Sequence, residues 1–168
     1  MTSSRGALVL ACVAAASCQP RDVAHIEAGD AFLQAGKPAA AAQEYQAAVE
    51  LDPENADYLV KLASALVADY RVEEALRYLL EAIKHDPRFW PARYYLGNAL
   101  VRSGKLTEAV EEYRMALDLN PTEPAVHVNL GNTYAQLGRT AEAREAYMKG
   151  LELDPTSGVI QESLAGLP

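Results

Sequence analysis

The amino-acid sequence predicts an all-α solenoid: four helix-turn-helix pairs followed by a short C-terminal capping helix. Three observations carry that expectation. A helix-stopping phrase returns at a fixed period, small and large apolar residues keep register with it, and each period holds two blocks of three- and four-residue apolar spacing. The phrase is "LDPENADY" at residues 51 to 58. Its relatives "HDPRFW", "LNPTEP" and "LDPTSG" set Pro53, Pro87, Pro121 and Pro155 each 34 residues from the next. Proline lacks the N–H a helix interior needs and pushes the residue before it out of the helical region, so each phrase ends a helix.

Four rows follow, 22–55, 56–89, 90–123 and 124–157. Small residues hold three columns: Gly29, Ala63, Gly97 and Gly131; Ala41, Ala75, Ala109 and Ala143; Ala48, Ala82, Ala116 and Gly150. Such columns let helix backbones approach closely. Large apolar residues hold three more: Phe32, Leu66, Leu100 and Tyr134; Tyr45, Leu79, Tyr113 and Tyr147; Val49, Ile83, Leu117 and Leu151.

Within the rows the apolar spacing predicts helices over 22–35 and 38–51, 56–69 and 72–85, 90–103 and 106–119, 124–137 and 140–153. Gly36, Gly104 and Gly138 supply left-handed turns after the first helix of their rows, and Pro38, Pro91 and Pro124 sit near helix starts where a missing N–H is harmless. Row two has Tyr70 at the turn position, at a cost of roughly 1 kcal/mol if the backbone is the same. One helical pair cannot bury its apolar face, so pairs must stack and the last needs a cap. Residues 158–168, "GVIQESLAGLP", align as a truncated first helix with Leu164 in a core column and Gly166 and Pro168 as terminators. The N-terminal side shows no comparable capping segment, which makes row one the expected weak end.

The segments "YYLGNALVRSGKLTEAVEEYRMALDLNP" and "VNLGNTYAQLGRTAEAREAYMKGLELDP" resemble tetratricopeptide repeats, and the likeness covers about four fifths of the chain. The resemblance implies a right-handed solenoid whose first helices line a concave surface. It also implies a non-catalytic adaptor or scaffold that binds a peptide or a partner helix there.

Composition narrows the function. The chain has 168 residues, 50% hydrophobic, with a formal charge of −8, which argues against nucleic acid as a partner and against attraction to anionic membrane surfaces. Residues 1–17 read as a signal peptide: Arg5, an apolar run from Ala7 to about Ala16, then small residues. "AASC" ending at Cys18 resembles the lipobox of bacterial lipoproteins, with Ala15 where leucine is preferred. That resemblance implies an acylated Cys18, a short tether over 18–21 and placement in the outer membrane facing the periplasm, since Gln19 is not the aspartate of inner-membrane retention. The tether would reach about 10 to 15 Å. Two readings compete. Ala14 and Ala16 fit a type I peptidase site that releases a soluble periplasmic or secreted protein, and Cys12 follows "VLA" behind a run too short to serve. Cys18 would be the sole remaining cysteine, with no disulfide partner.

Chemistry is sparse. His25, His85 and His127 do not converge with carboxylates or thiolates, so no metal or cofactor is expected, and no nucleophile or phosphate-loop motif is present. Glu73–Glu74 and Glu111–Glu112 read as solvated charge. Neither an enzyme nor a small-molecule substrate is expected. On the concave surface row one presents Ile26, Glu27, Asp30 and Gln34, and row two Val60, Lys61, Ser64 and Val67. Row three presents Tyr94, Tyr95, Asn98 and Arg102, and row four Val128, Asn129, Asn132 and Gln136. From these columns the candidate partner-binding residues are Lys61, Tyr94, Tyr95, Asn98 and Arg102, with Asn129, Asn132 and Gln136. Tyrosine faces give rigid apolar area, and asparagine can bond both groups of an extended backbone. Only Lys61 and Arg102 are basic there, which argues against a lysine-rich clamp for an acidic C-terminus. The resemblance extends to small lipoproteins that assist secretin or type IV pilus assembly. The alternative is an accessory or regulator of an envelope enzyme such as a cell-wall hydrolase.

Overall fold

The computed structural model describes residues 20–167; the predicted leader, Cys18 and Gln19 lie outside the described residues. Among the described residues the elements are nine helices: α1 (Arg21–Gln34), α2 (Pro38–Leu51), α3 (Ala56–Ala68), α4 (Val72–His85), α5 (Trp90–Arg102), α6 (Leu106–Leu119), α7 (Pro124–Gln136), α8 (Thr140–Leu153) and α9 (Gly158–Ala165). The helix α1 begins inside the four residues expected to form the tether. The other bounds follow the apolar periodicity to within a residue.

The inter-row phrases stop helices as the proline rule requires. Asp52, Asp86, Asn120 and Asp154 leave the helical region at φ −140°, −130°, −141° and −131°, each directly before a proline. The side chains of the last three then accept from the backbone N–H two residues on, at Arg88, Thr122 and Thr156, closing the turn. Asn55 caps α3 by accepting from the N–H groups of Asp57 and Tyr58.

Within rows the first helix ends on a left-handed residue. Gly36, Gly104 and Gly138 have φ 68°, 75° and 72°, and Tyr70 takes the same conformation at φ 64°. The N–H after each, at Lys37, Arg71, Lys105 and Arg139, bonds back to the carbonyls of Phe32, Leu66, Leu100 and Tyr134. Row two therefore keeps the turn geometry and accepts the strain of a bulky residue in it.

Each pair packs internally and the pairs stack in order, α9 lying on α8. First helices of successive rows also touch, α3 with α5 and α5 with α7, while second helices pack against the first helices on either side. The first helices thus form the inner wall. Ala41, Ala75, Ala109 and Ala143 are all fully buried, which lets the helices of each pair close to backbone distance.

One core contact recurs by row. Tyr45, Tyr113 and Tyr147 lie flat over Gly29, Gly97 and Gly131, so closely that a Cβ on those glycines would stand 2.4, 2.5 and 2.6 Å from the ring. In row two Leu79 replaces the tyrosine and Ala63 the glycine, both fully buried.

Three sequence expectations change. Val60 is core, 3% exposed, because the stack turns that edge of α3 inward. Leu164 is only half-buried, and the residue that fastens α9 is Ile160, 1% exposed against Gly150. Glu112 is not solvated charge: it pairs with Arg93 at 3.0 Å, both side chains about four-fifths buried.

Candidate functional site

The inner wall is organised by the same tyrosines that fill the core. Their hydroxyls pass between the helices of a pair and donate to the first helix: Tyr45 to Asp30 at 2.6 Å, Tyr113 to Asn98 at 2.7 Å, Tyr147 to Asn132 at 2.6 Å. Row two again departs. Leu79 has no hydroxyl, and Ser64 in the acceptor column turns back to the Lys61 carbonyl at 2.8 Å. Burial pushes the Tyr113 and Tyr147 hydroxyls up from their usual range, which keeps them protonated donors.

Rows three and four are tied across the groove. Asn129 donates to Asn98 Oδ1 at 2.8 Å and to the Tyr94 hydroxyl at 3.1 Å. Asn98 Oδ1 thereby holds two donors, and its own amide hydrogens have no partner among the described residues. Tyr94 meets Tyr95 edge-on at 5.2 Å and leans on Tyr113 at 6.1 Å. The cluster is preorganised: Asn98 Oδ1 and the Tyr94 hydroxyl accept internally, while the Asn98 amide hydrogens remain for an incoming carbonyl.

Five of the eight candidate residues, Asn98, Arg102, Asn129, Asn132 and Gln136, line a single cavity of about 210 Å³ between α5 and α7, floored by Val101, Tyr113 and Thr133. No acidic side chain lines it. Arg102 makes no ion pair among the described residues, and its guanidinium lies 5.4 Å from the centre of the Tyr70 ring. Tyr95 lines the neighbouring cavity, of about 110 Å³, together with Asn98. Lys61 is the candidate the geometry sets apart: its ammonium is bonded to Asp30 at 3.0 Å and sits over the Tyr45 ring. The tyrosine-to-acceptor columns escaped sequence reasoning, although the signal was present in the joint replacement of glycine, acid or amide, and tyrosine in row two.

A larger cavity, about 410 Å³, lies among α6, α7 and α8, with Arg139, Lys149 and Glu142 on its rim. Most of its charges are already paired, Arg139 with Glu142, Lys149 with Glu145 and Arg114 with Glu111. His127 at its base is buried, 7% exposed, with its Nε2 against the Pro121 carbonyl. His25 meets Glu44 at 2.7 Å. Among the described residues no group of three or more His, Cys, Asp or Glu could hold a metal ion. No described helix is long and apolar enough to cross a membrane.

A TPR repeat family model matches residues 29–69 and 97–138, and two tetratricopeptide repeat models match 78–111 and 124–157. This chain is a tetratricopeptide repeat protein. Its fold is the right-handed α-solenoid of that family, and the fold supports a role as a protein-interaction adaptor. A curated relative, the TPR repeat-containing thioredoxin TTL4 of Arabidopsis thaliana, is 40% identical over 63 residues, 38% of this chain but 9% of that protein's length. PilF of Pseudomonas aeruginosa is similar at 26% identity and TM-score 0.79, over 86% of this chain and 66% of that one. YrrB, described as a TPR protein with an unusual peptide-binding site, shares the fold at 24% identity and TM-score 0.71, over 84% and 73%.

Proposed function

We propose that this tetratricopeptide repeat protein is a non-catalytic adaptor that takes an extended segment of another protein along the inner wall of α3, α5 and α7. The observation that carries the reading is the α5–α7 cavity, where unpartnered amide N–H groups and an unpaired Arg102 face a floor free of acid. An extended backbone offers carbonyls at a regular spacing that such a wall can bond, and the rigid tyrosine cluster limits the entropy lost on binding. The side chains of Arg102 and Gln136 lie outside the internal hydrogen-bond network. Arg102→Glu with Gln136→Ala, both exposed, should reduce partner recovery at least tenfold with helicity unchanged. Equal recovery removes the proposal.

The reading places the array at a bacterial envelope, tethered through an acylated Cys18 at the outer membrane and serving a pilus or secretion complex. The lipobox-like "AASC" and the likeness to PilF support it. Ala14 and Ala16 favour a second reading, a soluble periplasmic or secreted accessory of an envelope enzyme. Labelling cells with an alkyne fatty acid separates the two. Label and membrane fractionation that disappear in Cys18→Ala favour the anchor, whereas a protein unlabelled in both forms favours release.

A further inference from the structure

Two cavities follow each other along the inner wall, and they are the same cavity one row apart. The first is lined by Ala63, Ser64, Val67, Leu79, Tyr95 and Asn98. Moving each by one 34-residue row gives Gly97, Asn98, Val101, Tyr113, Asn129 and Asn132, five of which line the second. Their chemistry differs because row two lacks the tyrosine. Tyr113 floors the second cavity, of about 210 Å³, and sends its hydroxyl to Asn98, whereas Leu79 floors the first with methyl groups alone and leaves a smaller, more apolar pit of about 110 Å³ beside Tyr95.

We infer that this pit is a specificity pocket for a branched aliphatic side chain, Leu, Ile or Val, of an extended partner peptide whose acidic residue reaches Arg102 in the next cavity. The inference rests on the concave-face reading proposed above. Charge complementarity selects the occupant. None of the six residues lining the pit is charged, and nearby Lys61 is neutralised by Asp30 at 3.0 Å, so a charged side chain entering there would lose its hydration without a partner. One row on, Arg102 awaits a carboxylate in a cavity without acids. The pit is smaller than the roughly 150 Å³ engineered cavity that admits a benzene ring, which suits a branched aliphatic group.

The spacing of the two features follows from the stack. Helices in contact lie about 8 to 10 Å apart and an extended chain advances about 3.3 Å per residue, so the aliphatic and acidic positions fall about three residues apart. Asn98 stands between the cavities with free amide hydrogens and can hold the intervening backbone. Tyr70, 82% exposed, lies beside Arg102, its ring centre 5.4 Å from the guanidinium.

The protein itself supplies the control. Ala63→Gly with Leu79→Tyr rewrites row two as rows one, three and four are written, putting a phenol ring and its hydroxyl in the apolar floor while keeping a packing arrangement the fold already uses three times. The probe is a set of acetylated, amidated serine-rich octapeptides with glutamate at a fixed position and Leu, Ile, Val, Ala, Asn or Lys three residues before it. Binding to the full chain is followed by NMR shifts at Tyr95 and Asn98. The Leu, Ile and Val peptides should bind at least about tenfold more tightly than the Ala peptide, since even one methylene in an apolar pocket is worth that much. The double variant, with its circular dichroism unchanged, should lose the preference. Peptides that move Asn132 and Gln136 but bind equally whatever the first residue overturn the pocket and leave the concave-face reading standing. A preference surviving in the double variant also overturns it, and shifts nowhere along the inner wall overturn both.

Discussion

The tyrosine-on-glycine contact makes the most quantitative prediction. In row three a Cβ at position 97 would stand 2.5 Å from Tyr113 Cε1 and 2.7 Å from Cδ1, distances that force the ring to move. Overpacking of this kind costs about 1–3 kcal/mol. Displacing the ring also weakens the 2.7 Å bond to Asn98, worth about 1 kcal/mol. Alanine returns about 1 kcal/mol of helix propensity, so Gly97→Ala alone should destabilise by roughly 1–2 kcal/mol. Tyr113→Leu alone loses the hydroxyl and part of the ring, roughly 2 kcal/mol. Together the two reproduce the arrangement of Ala63 and Leu79, where no clash exists, so the double variant should cost no more than Tyr113→Leu alone. The coupling is then about 1–2 kcal/mol. Urea unfolding followed by circular dichroism at constant slope reads it directly. Additive effects, within about 0.5 kcal/mol, would refute the view that these two columns are one contact.

Other consequences follow from single residues. Tyr70→Gly should stabilise by about 0.5 kcal/mol in the same urea assay, because relieving roughly 1–2 kcal/mol of left-handed strain exceeds the contact with Arg102 of roughly 0.5–1 kcal/mol. Row one should carry an acid-sensitive contact. Burial raises the Asp30 carboxyl, but the Tyr45 hydroxyl and the Lys61 ammonium together outweigh it and hold the group below its usual 3.8. A carboxyl depressed on folding stabilises the protein above its unfolded value, and that contribution fades as pH falls through the lower folded value. Thermal midpoints between about pH 5 and about pH 2 should therefore fall less steeply in Asp30→Asn than in the parent. An identical slope would contradict the pairing. Glu112→Gln should cost about 1 kcal/mol, more than an exposed pair, since its partner Arg93 is then left without a carboxylate in a largely buried position.

Helix positions were legible because their signals are local. Apolar spacing, the pre-proline stop and the turn glycines each act within a few residues, and even the strain at Tyr70 could be read from its column. Contacts between helices were less legible. Val60 neighbours Lys61 on the helical stripe that faces the groove, yet the curvature of the stack buries it. Glu112 sits in an acidic doublet whose solvation looked ordinary until Arg93, 19 residues away, was found beside it. The polar columns were recognised but misjudged in kind: Asn98 and Asn132 serve first as acceptors for buried tyrosines, and Lys61 is occupied by Asp30. What they leave for a partner is narrower, namely amide hydrogens, Arg102, Gln136 and the apolar pit where row two omits its tyrosine.

On this reading a partner polypeptide lies along the inner wall. A photo-crosslinking amino acid placed at Gln136 on that wall, and separately at exposed Glu111 on the outer side, tests it in cells expressing the full chain at native level. Discrete crosslinked bands are expected from position 136, fading with Arg102→Glu, and few from position 111. Bands of equal strength from both positions, or from position 111 alone, would contradict it.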